Sequence, residues 1–163
     1  HLPEEWELTQ CLFGEHLLKQ FHDMPVALVE SEKTAIICSG LMPDYLWLAT
    51  GGKSQFNERL KVLYGRDVVA FPDVDGYTTW CEKVKDFPDL NISVSNLLQS
   101  NATQEDMKNH IDIADWLIRW KLQPETFETE KRNITFEKVK AFVSEEYHEE
   151  VLALIEDLDL IIF

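Results

Sequence analysis

The chain is strongly acidic, with 30 Asp and Glu against 15 Lys and Arg among its 163 residues and a formal net charge of −15. This charge argues against autonomous binding to nucleic acid, because affinity for the phosphate backbone requires a basic surface. No stretch approaches the run of about 20 apolar residues that spans a membrane, and the three scattered cysteines are typical of a reducing cytoplasm. We therefore expect a cytoplasmic protein that does not enter a membrane. Since the chain begins with His1, we also expect a fragment of a longer protein.

The N-terminal third contains a predicted helix and a first strand–turn–helix unit. The helix lies within residues 6–21, where LFGEHLLKQF can cover one side of a sheet. The segment PVALVESEKTAIICSG then predicts a strand at Val26–Val29, followed by Glu30. Ser31 is suited to cap the next helix, and Gly40 is suited to end it.

A second predicted strand–turn–helix unit follows the first. YLWLATGGKSQF predicts a strand at Leu46–Ala49 and a turn at Gly51 and Gly52. The next helix is predicted to carry three apolar side chains at helical spacing, Phe56, Leu60 and Leu63.

The third unit contains the most informative segment, VVAFPDVDGYTTW. Residues 68–71 predict a strand buried on both faces, which Pro72 ends because proline has no N–H for the ladder. Asp73 and Asp75 follow directly, and the helix Tyr77–Val84 comes next. With a fourth strand at residues 90–94, the succession of units predicts a parallel α/β sheet of about four strands with helices on both faces.

This order brings three carboxylates to one edge of the predicted sheet. Glu30 ends the first strand, and Asp73 and Asp75 follow the third. In a parallel sheet the carboxyl ends of the strands share one edge, and ligands bind in the crevice outside it. Carboxylates within about 4–6 Å of one another repel unless a cation joins them. The pattern therefore predicts a site for Mg²⁺ or Mn²⁺, which prefer oxygen ligands and keep waters that substrate phosphates replace.

The same residues resemble the Toprim domain of primases, topoisomerases and certain nucleases. VALVESEKTA is similar to its first motif in primase-like proteins of phages and mobile elements, and FPDVDGY to its second. DIADWL, at residues 112–117, resembles a later acidic motif, so the similarity covers roughly residues 11–122. Two positions depart from the primase pattern: glycine follows the second aspartate at once, and Ser31 replaces a glycine after the motif glutamate.

The resemblance implies a Toprim-like, Rossmann-like fold and specific roles for the acidic residues. Glu30 would act as general base or metal ligand, and Asp73, Asp75 and Asp115 as ligands of Mg²⁺ or Mn²⁺. The turn of Gly51 and Gly52 would lie beside the bound cofactor or substrate.

The resemblance also implies a biological context. It suggests DNA replication in a bacterial mobile element, with nucleotidyltransferase or nuclease chemistry. DNA or nucleotide would be held mainly by a partner domain, and a replicative helicase would be a further partner.

Three alternatives remain open from the sequence. The chain could be a non-catalytic interaction module with a degenerate Toprim site. It could instead be a haloacid-dehalogenase-like phosphotransferase, in which the first aspartate of Asp-x-Asp is the nucleophile. The acidic residues could also have only local roles, because Asp and Gly dominate turns and acids stabilise helix N-termini. In that case Asp112 would cap a helix at Ile113–Leu122, with Asp115 in its first turn.

The pattern changes after residue 122. QPETFETEKRN is polar and contains proline, which predicts a linker, and the last segment has helical character. We therefore expect a Toprim-like domain at residues 1–122 and, at residues 123–163, a linker with a small helical extension packed on that domain.

Overall fold

The structure, a computed structural model, describes residues 10–123, 137, 140–141 and 144–157. It has an α/β fold in which a four-stranded parallel sheet is flanked by helices, so the predicted fold class is confirmed. The strands are β1 Val26–Val29, β2 Leu46–Ala49, β3 Asp67–Ala70 and β4 Asn91–Val94. The α-helices are α1 Glu32–Leu41, α2 Tyr77–Val84, α3 Leu97–Asn101, α4 Gln104–Asn109, α5 Ile113–Leu122 and α6 His148–Asp157. Short 3₁₀ helices lie at Glu15–Lys19, Lys53–Gln55, Glu58–Leu63 and Glu145–Tyr147.

The strand order is β2-β1-β3-β4, and every pairing is parallel. The chain runs outward from β1 to β2 and then crosses to the other side of β1, where it forms β3 and β4. The order therefore reverses between β1 and β3, and the carboxyl ends of these two strands flank the crevice in which sheets of this kind bind ligands.

Both faces of the sheet are covered, because alternate side chains of β1 enter different cores. Ala27 and Val29 belong to a core that α1 and α5 complete with Cys38, Ala114 and Leu117. Val26 and Leu28 belong to a second core, on the opposite face, formed with Leu60, Leu63 and Trp80. All four residues of β1 are fully buried, as expected for a central parallel strand.

Some predicted boundaries differ from the observed ones. The third strand begins and ends one residue earlier than predicted, although the Phe71 N–H still donates to Leu28 O at 2.8 Å. Gly40 does not end α1, which continues through Leu41 until Met42 N–H donates to Cys38 O. The helix predicted to carry Phe56, Leu60 and Leu63 is instead two 3₁₀ segments. Asn57 lies between them in an extended conformation, and its side chain caps the second segment by accepting from Arg59 N–H.

The N-terminal helix is also shorter than predicted. Phe13 forms an antiparallel bridge with Ala49. Gly14 follows in the left-handed region at φ 80°, and only Glu15–Lys19 is helical, as a 3₁₀ helix. Residues 6–9 lie outside the described part of the chain.

The C-terminal extension is described only in part. Helix α6 agrees with the predicted helical character, whereas residues 124–136 and 158–163 lie outside the described residues. The division at residue 122 and the packing of the extension on the domain therefore remain predictions. In the described residues, no helix has the length and apolar character needed to cross a membrane.

Candidate functional site

The site lies at the carboxyl edge of the sheet, where the backbone places Glu30 next to two loops. Glu30 directly follows β1, and its carbonyl accepts a hydrogen bond from Gly51 N–H at 3.0 Å. The loop after β3 turns tightly, because Gly76 N–H donates to Asp73 O at 2.8 Å. Buried Val74 anchors that loop through a bond from its N–H to Ile111 O at 3.1 Å. The edge predicted to hold the acidic residues is thus built from the loops that follow β1, β2 and β3.

Glu30 is the most unusual residue of this edge. Only 8% of it is exposed, and its Oε1 atom is buried without a hydrogen-bond partner in the described part of the chain. Burial raises the pKa of Glu30, opposed by the charge of Lys53 and reinforced by that of Asp75. A Cβ atom on Gly76 would lie 3.2 Å from Oε1, so glycine leaves room for this carboxylate at the start of α2. A buried acceptor that lacks a donor is costly, which makes it a natural position for a ligand.

Asp73 shares the electrostatic environment of Glu30. Burial raises the pKa of Asp73 to about 7, and the negative charges of Glu30, Asp112 and Asp75 contribute to the rise. Glu30, Asp112 and Asp75 therefore lie near enough to Asp73 for their charges to favour its neutral form.

Asp75 differs from Glu30 and Asp73 in that it forms an ion pair. Lys53 Nζ lies 3.0 Å from Asp75 Oδ2, and His110 Nδ1 lies 3.7 Å from the same oxygen. The hydrogen bond from Lys53 and the charges of Lys53 and His110 lower the pKa of Asp75. Lys83, on α2, donates to the carbonyl of Lys53 at 2.8 Å and so holds the backbone of the lysine loop.

Asp112 is a fourth acidic residue near Asp73, but both of its carboxylate oxygens already accept hydrogen bonds. Asp112 Oδ2 accepts from Thr34 Oγ1 at 2.6 Å and lies 3.3 Å from Lys33 Nζ. Its Oδ1 accepts from Asp115 N–H at 2.9 Å, which completes the cap of α5. Burial would raise the pKa of Asp112, but these hydrogen bonds and the Lys33 charge hold it below its ordinary value.

The local role predicted for Asp112 and Asp115 is confirmed. Both residues form a reciprocal capping box at the start of α5, in which Asp115 Oδ2 accepts from Asp112 N–H at 3.1 Å. The α5 acid that influences the ionisation of Asp73 is Asp112. A metal-binding role for Asp115 stays a prediction.

The glycine turn after β2 forms one wall of a neighbouring cavity. Gly51 and Gly52 have φ values of 84° and 138°, which L side chains rarely adopt, so both positions favour glycine. The cavity has a volume of about 380 Å³, within the range of about 300–1,000 Å³ typical of small-molecule sites. Its lining includes Gly51, Phe13, Glu32, Gln55 and Arg59. The cavity therefore lies beside the glycine turn on the β2 side, and Glu30 is not among the residues that line it.

No three His, Cys, Asp or Glu side chains are already grouped so that they could hold a metal ion, within the residues that the structure describes. The carboxylate of Asp75 is instead paired with the ammonium group of Lys53. The donor set nevertheless suits a hard cation, because Glu30, Asp73 and Asp75 supply only oxygen ligands and one of those oxygens is unpartnered.

Part of the chain matches a protein-family model. Residues 1–74 match the family model described as a domain of unknown function, DUF6371. The matched segment includes Glu30, the glycine turn and Asp73, and it ends one residue before Asp75. No curated protein and no solved structure matches the chain.

Sequence reasoning missed the cationic part of the site. No role at this edge was predicted for Lys53, and neither Lys83 nor His110 was connected with the carboxylates. The available signal was position: Lys53 directly follows the glycine turn, and that turn ends the strand beside β1. The proximity of Lys83 could not be read from the sequence, because it depends on how α2 packs over the loop.

Proposed function

We propose that this chain is a Toprim-type domain of a primase-like replication protein from a bacterial mobile element, and that its sheet edge binds Mg²⁺ or Mn²⁺ for phosphoryl or nucleotidyl transfer. The observation that carries the proposal is the Glu30 carboxylate, which is buried with one unpartnered oxygen beside Asp73. The resemblance of VALVESEKTA and FPDVDGY to Toprim motifs supports the same assignment.

The residues have separable roles in this proposal. Glu30, Asp73 and Asp75 provide oxygen ligands, and Glu30 is also placed to act as a general base. When bound, the cation would supply positive charge that orients a phosphate and stabilises the charge developing on it. The buried setting of Glu30 and the half-buried setting of Asp73 strengthen their interaction with any cation, because the surrounding protein screens charge less than water does.

If Asp73 binds the cation, binding should be accompanied by the release of its proton. With a pKa raised to about 7, Asp73 retains its proton in roughly half of the molecules near neutral pH. A carboxylate must lose its proton to bind a metal, so cation binding should release protons. Isothermal titration calorimetry in buffers of different ionisation enthalpy measures this release directly.

The main test is the effect of the cation on thermal stability. A ligand that binds only the folded state stabilises it by about 2.7 kcal/mol at one hundred times its Kd, which raises the melting temperature of such a domain by several degrees. The double variant Asp73→Asn with Asp75→Asn should lose this rise. The matched control removes two exposed aspartates elsewhere, Asp86→Asn with Asp89→Asn, and should keep it. Equal rises in all three proteins would assign the effect to the general acidic surface and refute the proposed site.

Catalysis requires a separate test. The chain is incubated with Mn²⁺ and either a single-stranded template with labelled nucleoside triphosphates or labelled DNA, with Glu30→Gln as the negative control. Primer synthesis supports the primase-like assignment, and cleavage supports a nuclease. Intact cation binding without either product would favour the non-catalytic interaction module.

The haloacid-dehalogenase-like alternative fits the site less well. It requires the Asp-x-Asp segment to end the first strand of the core, and here that segment follows β3.

A further inference from the structure

Lys53 occupies the position in which a cation would meet Asp75. Its ammonium nitrogen lies 3.0 Å from Asp75 Oδ2, and its charge also acts on Glu30 and Asp73. The lysine thus supplies part of the positive charge that this group of carboxylates requires.

The Lys53 side chain lies outside both buried cores and is partly exposed to solvent. Gly51 and Gly52 precede it with φ values of 84° and 138°, conformations that are open to glycine without strain. Lys53 begins a three-residue 3₁₀ helix, Lys53–Gln55, whose side chains are not part of either buried core. The side chain itself is 43% exposed, so it can turn into solvent without disturbing the sheet.

The loop as a whole stays anchored when the side chain moves. The Lys53 carbonyl accepts from Lys83 Nζ at 2.8 Å, and Gly51 N–H donates to Glu30 O at 3.0 Å. These two bonds are made to backbone atoms of the loop, and neither involves the ammonium group of Lys53. For Asp75 Oδ2 to become available, the contact with Lys53 Nζ at 3.0 Å must break, and the more distant His110 Nδ1, at 3.7 Å, must also give way.

We propose that Lys53 competes with the divalent cation for Asp75 and thereby sets the cation affinity of the site. The proposal rests on the proposed function, because it concerns the same carboxylates. A lysine ammonium and a divalent cation repel each other, and one Asp75 oxygen cannot be shared between them at full strength. Binding of the cation therefore releases Lys53 from Asp75.

The test measures Mn²⁺ affinity by isothermal titration calorimetry at matched ionic strength. Lys53→Met should bind Mn²⁺ about three- to tenfold more tightly than the parent, since it loses an exposed ion pair and one nearby positive charge. Lys53→Arg keeps the charge and should stay close to the parent. The matched control is Lys61→Met, because Lys61 is also exposed but pairs with Glu58. It should change the affinity less than about twofold, since salt screens exposed charges and Lys61 is not among the charges that act on Glu30, Asp73 or Asp75.

A double-mutant cycle distinguishes competition at Asp75 from a general effect of charge. If Lys53 acts through Asp75, its replacement should have little effect on Mn²⁺ affinity once Asp75→Asn is present. An equal gain in both backgrounds would overturn the proposal.

The remaining outcomes are also decisive. Equal or weaker Mn²⁺ binding by Lys53→Met would overturn the competition and leave the proposed metal site standing. Failure of both the parent and Lys53→Met to bind Mn²⁺ would instead refute the proposed function. Binding by Lys53→Met alone would support both.

Discussion

Replacing Asp73 with asparagine should stabilise the protein in the absence of divalent cations, and the gain should depend on pH. Asp73 is partly buried beside Glu30, so its ionised form is disfavoured in the folded state. Its pKa is raised from 3.8 to about 7. The folded state therefore holds the Asp73 proton more tightly than the unfolded state does.

The sign of the effect follows from this difference. Between pH values of about 4 and 7 the unfolded chain has released the proton and the folded protein retains it, so stability falls as pH rises through this range. Below about pH 4 both states are protonated and the penalty is absent. Above about pH 7 both are ionised and the penalty is complete.

The magnitude can be bounded from the same values. The gap between 3.8 and about 7 corresponds to about 4 kcal/mol at 1.36 kcal/mol for each pKa unit. Because Asp73 is partly exposed to solvent, screening reduces this figure, and we expect Asp73→Asn to gain about 1–2 kcal/mol at a pH of about 8. That gain raises the melting temperature by about 2–8 °C. At a pH of about 5.5 roughly half of it should remain.

Urea denaturation at the two pH values, with a chelator and at matched ionic strength, measures this difference. Asp44→Asn is a suitable control, because Asp44 is exposed in the loop between α1 and β2. It should shift stability little and equally at both pH values. A gain from Asp73→Asn that does not depend on pH, or a loss at a pH of about 8, would refute the electrostatic account of the site.

Three further predictions concern the same edge of the sheet and the surface. Gly76→Ala should destabilise the protein by about 1–3 kcal/mol, because its Cβ would lie 3.1 Å from Pro72 Cβ and 3.2 Å from Glu30 Oε1. Gly40→Ala, where a Cβ meets nothing within 4 Å in the last turn of α1, should be neutral or stabilising when both variants are compared by thermal melting. Asp112→Ala should lower stability by about 1–3 kcal/mol in urea denaturation, because α5 loses its cap and Thr34 loses its acceptor; an unchanged midpoint would contradict the role of the cap. Finally, the chain should bind short DNA weakly at physiological salt, given its net charge of −15, and tight, salt-sensitive binding in fluorescence anisotropy would reveal a basic face.

The sequence by itself determined the elements whose signals are local. The apolar runs of β1 and β2, closed by polar and glycine residues, correspond to the observed strands residue for residue. Helices α2 and α5 also begin and end where predicted, and Ser31 and Asp112 cap their helices. These features depend on side-chain periodicity and on hydrogen bonds between residues three positions apart, which a sequence displays directly.

Local signals failed where the same apolar spacing fits more than one backbone conformation. The segment containing Phe56, Leu60 and Leu63 has helical spacing of its apolar residues, and all three are buried. The extended conformation of Asn57 nevertheless divides it, because the Asn57 side chain accepts from the Arg59 N–H and starts a new turn. Apolar spacing alone could not distinguish this arrangement from one continuous helix.

Only the tertiary structure decided how the candidate site is composed. The acidic residues could be assigned to one edge from the order of strands, but the sheet order β2-β1-β3-β4 places the loop after β2 beside Glu30 and brings Lys53 to Asp75. The unpartnered oxygen of Glu30 likewise depends on packing against Gly76, 46 positions further along the chain. Burial and ion pairing are properties of residues that meet in space, so the charge balance of this edge was settled by the fold rather than by any pattern along the chain.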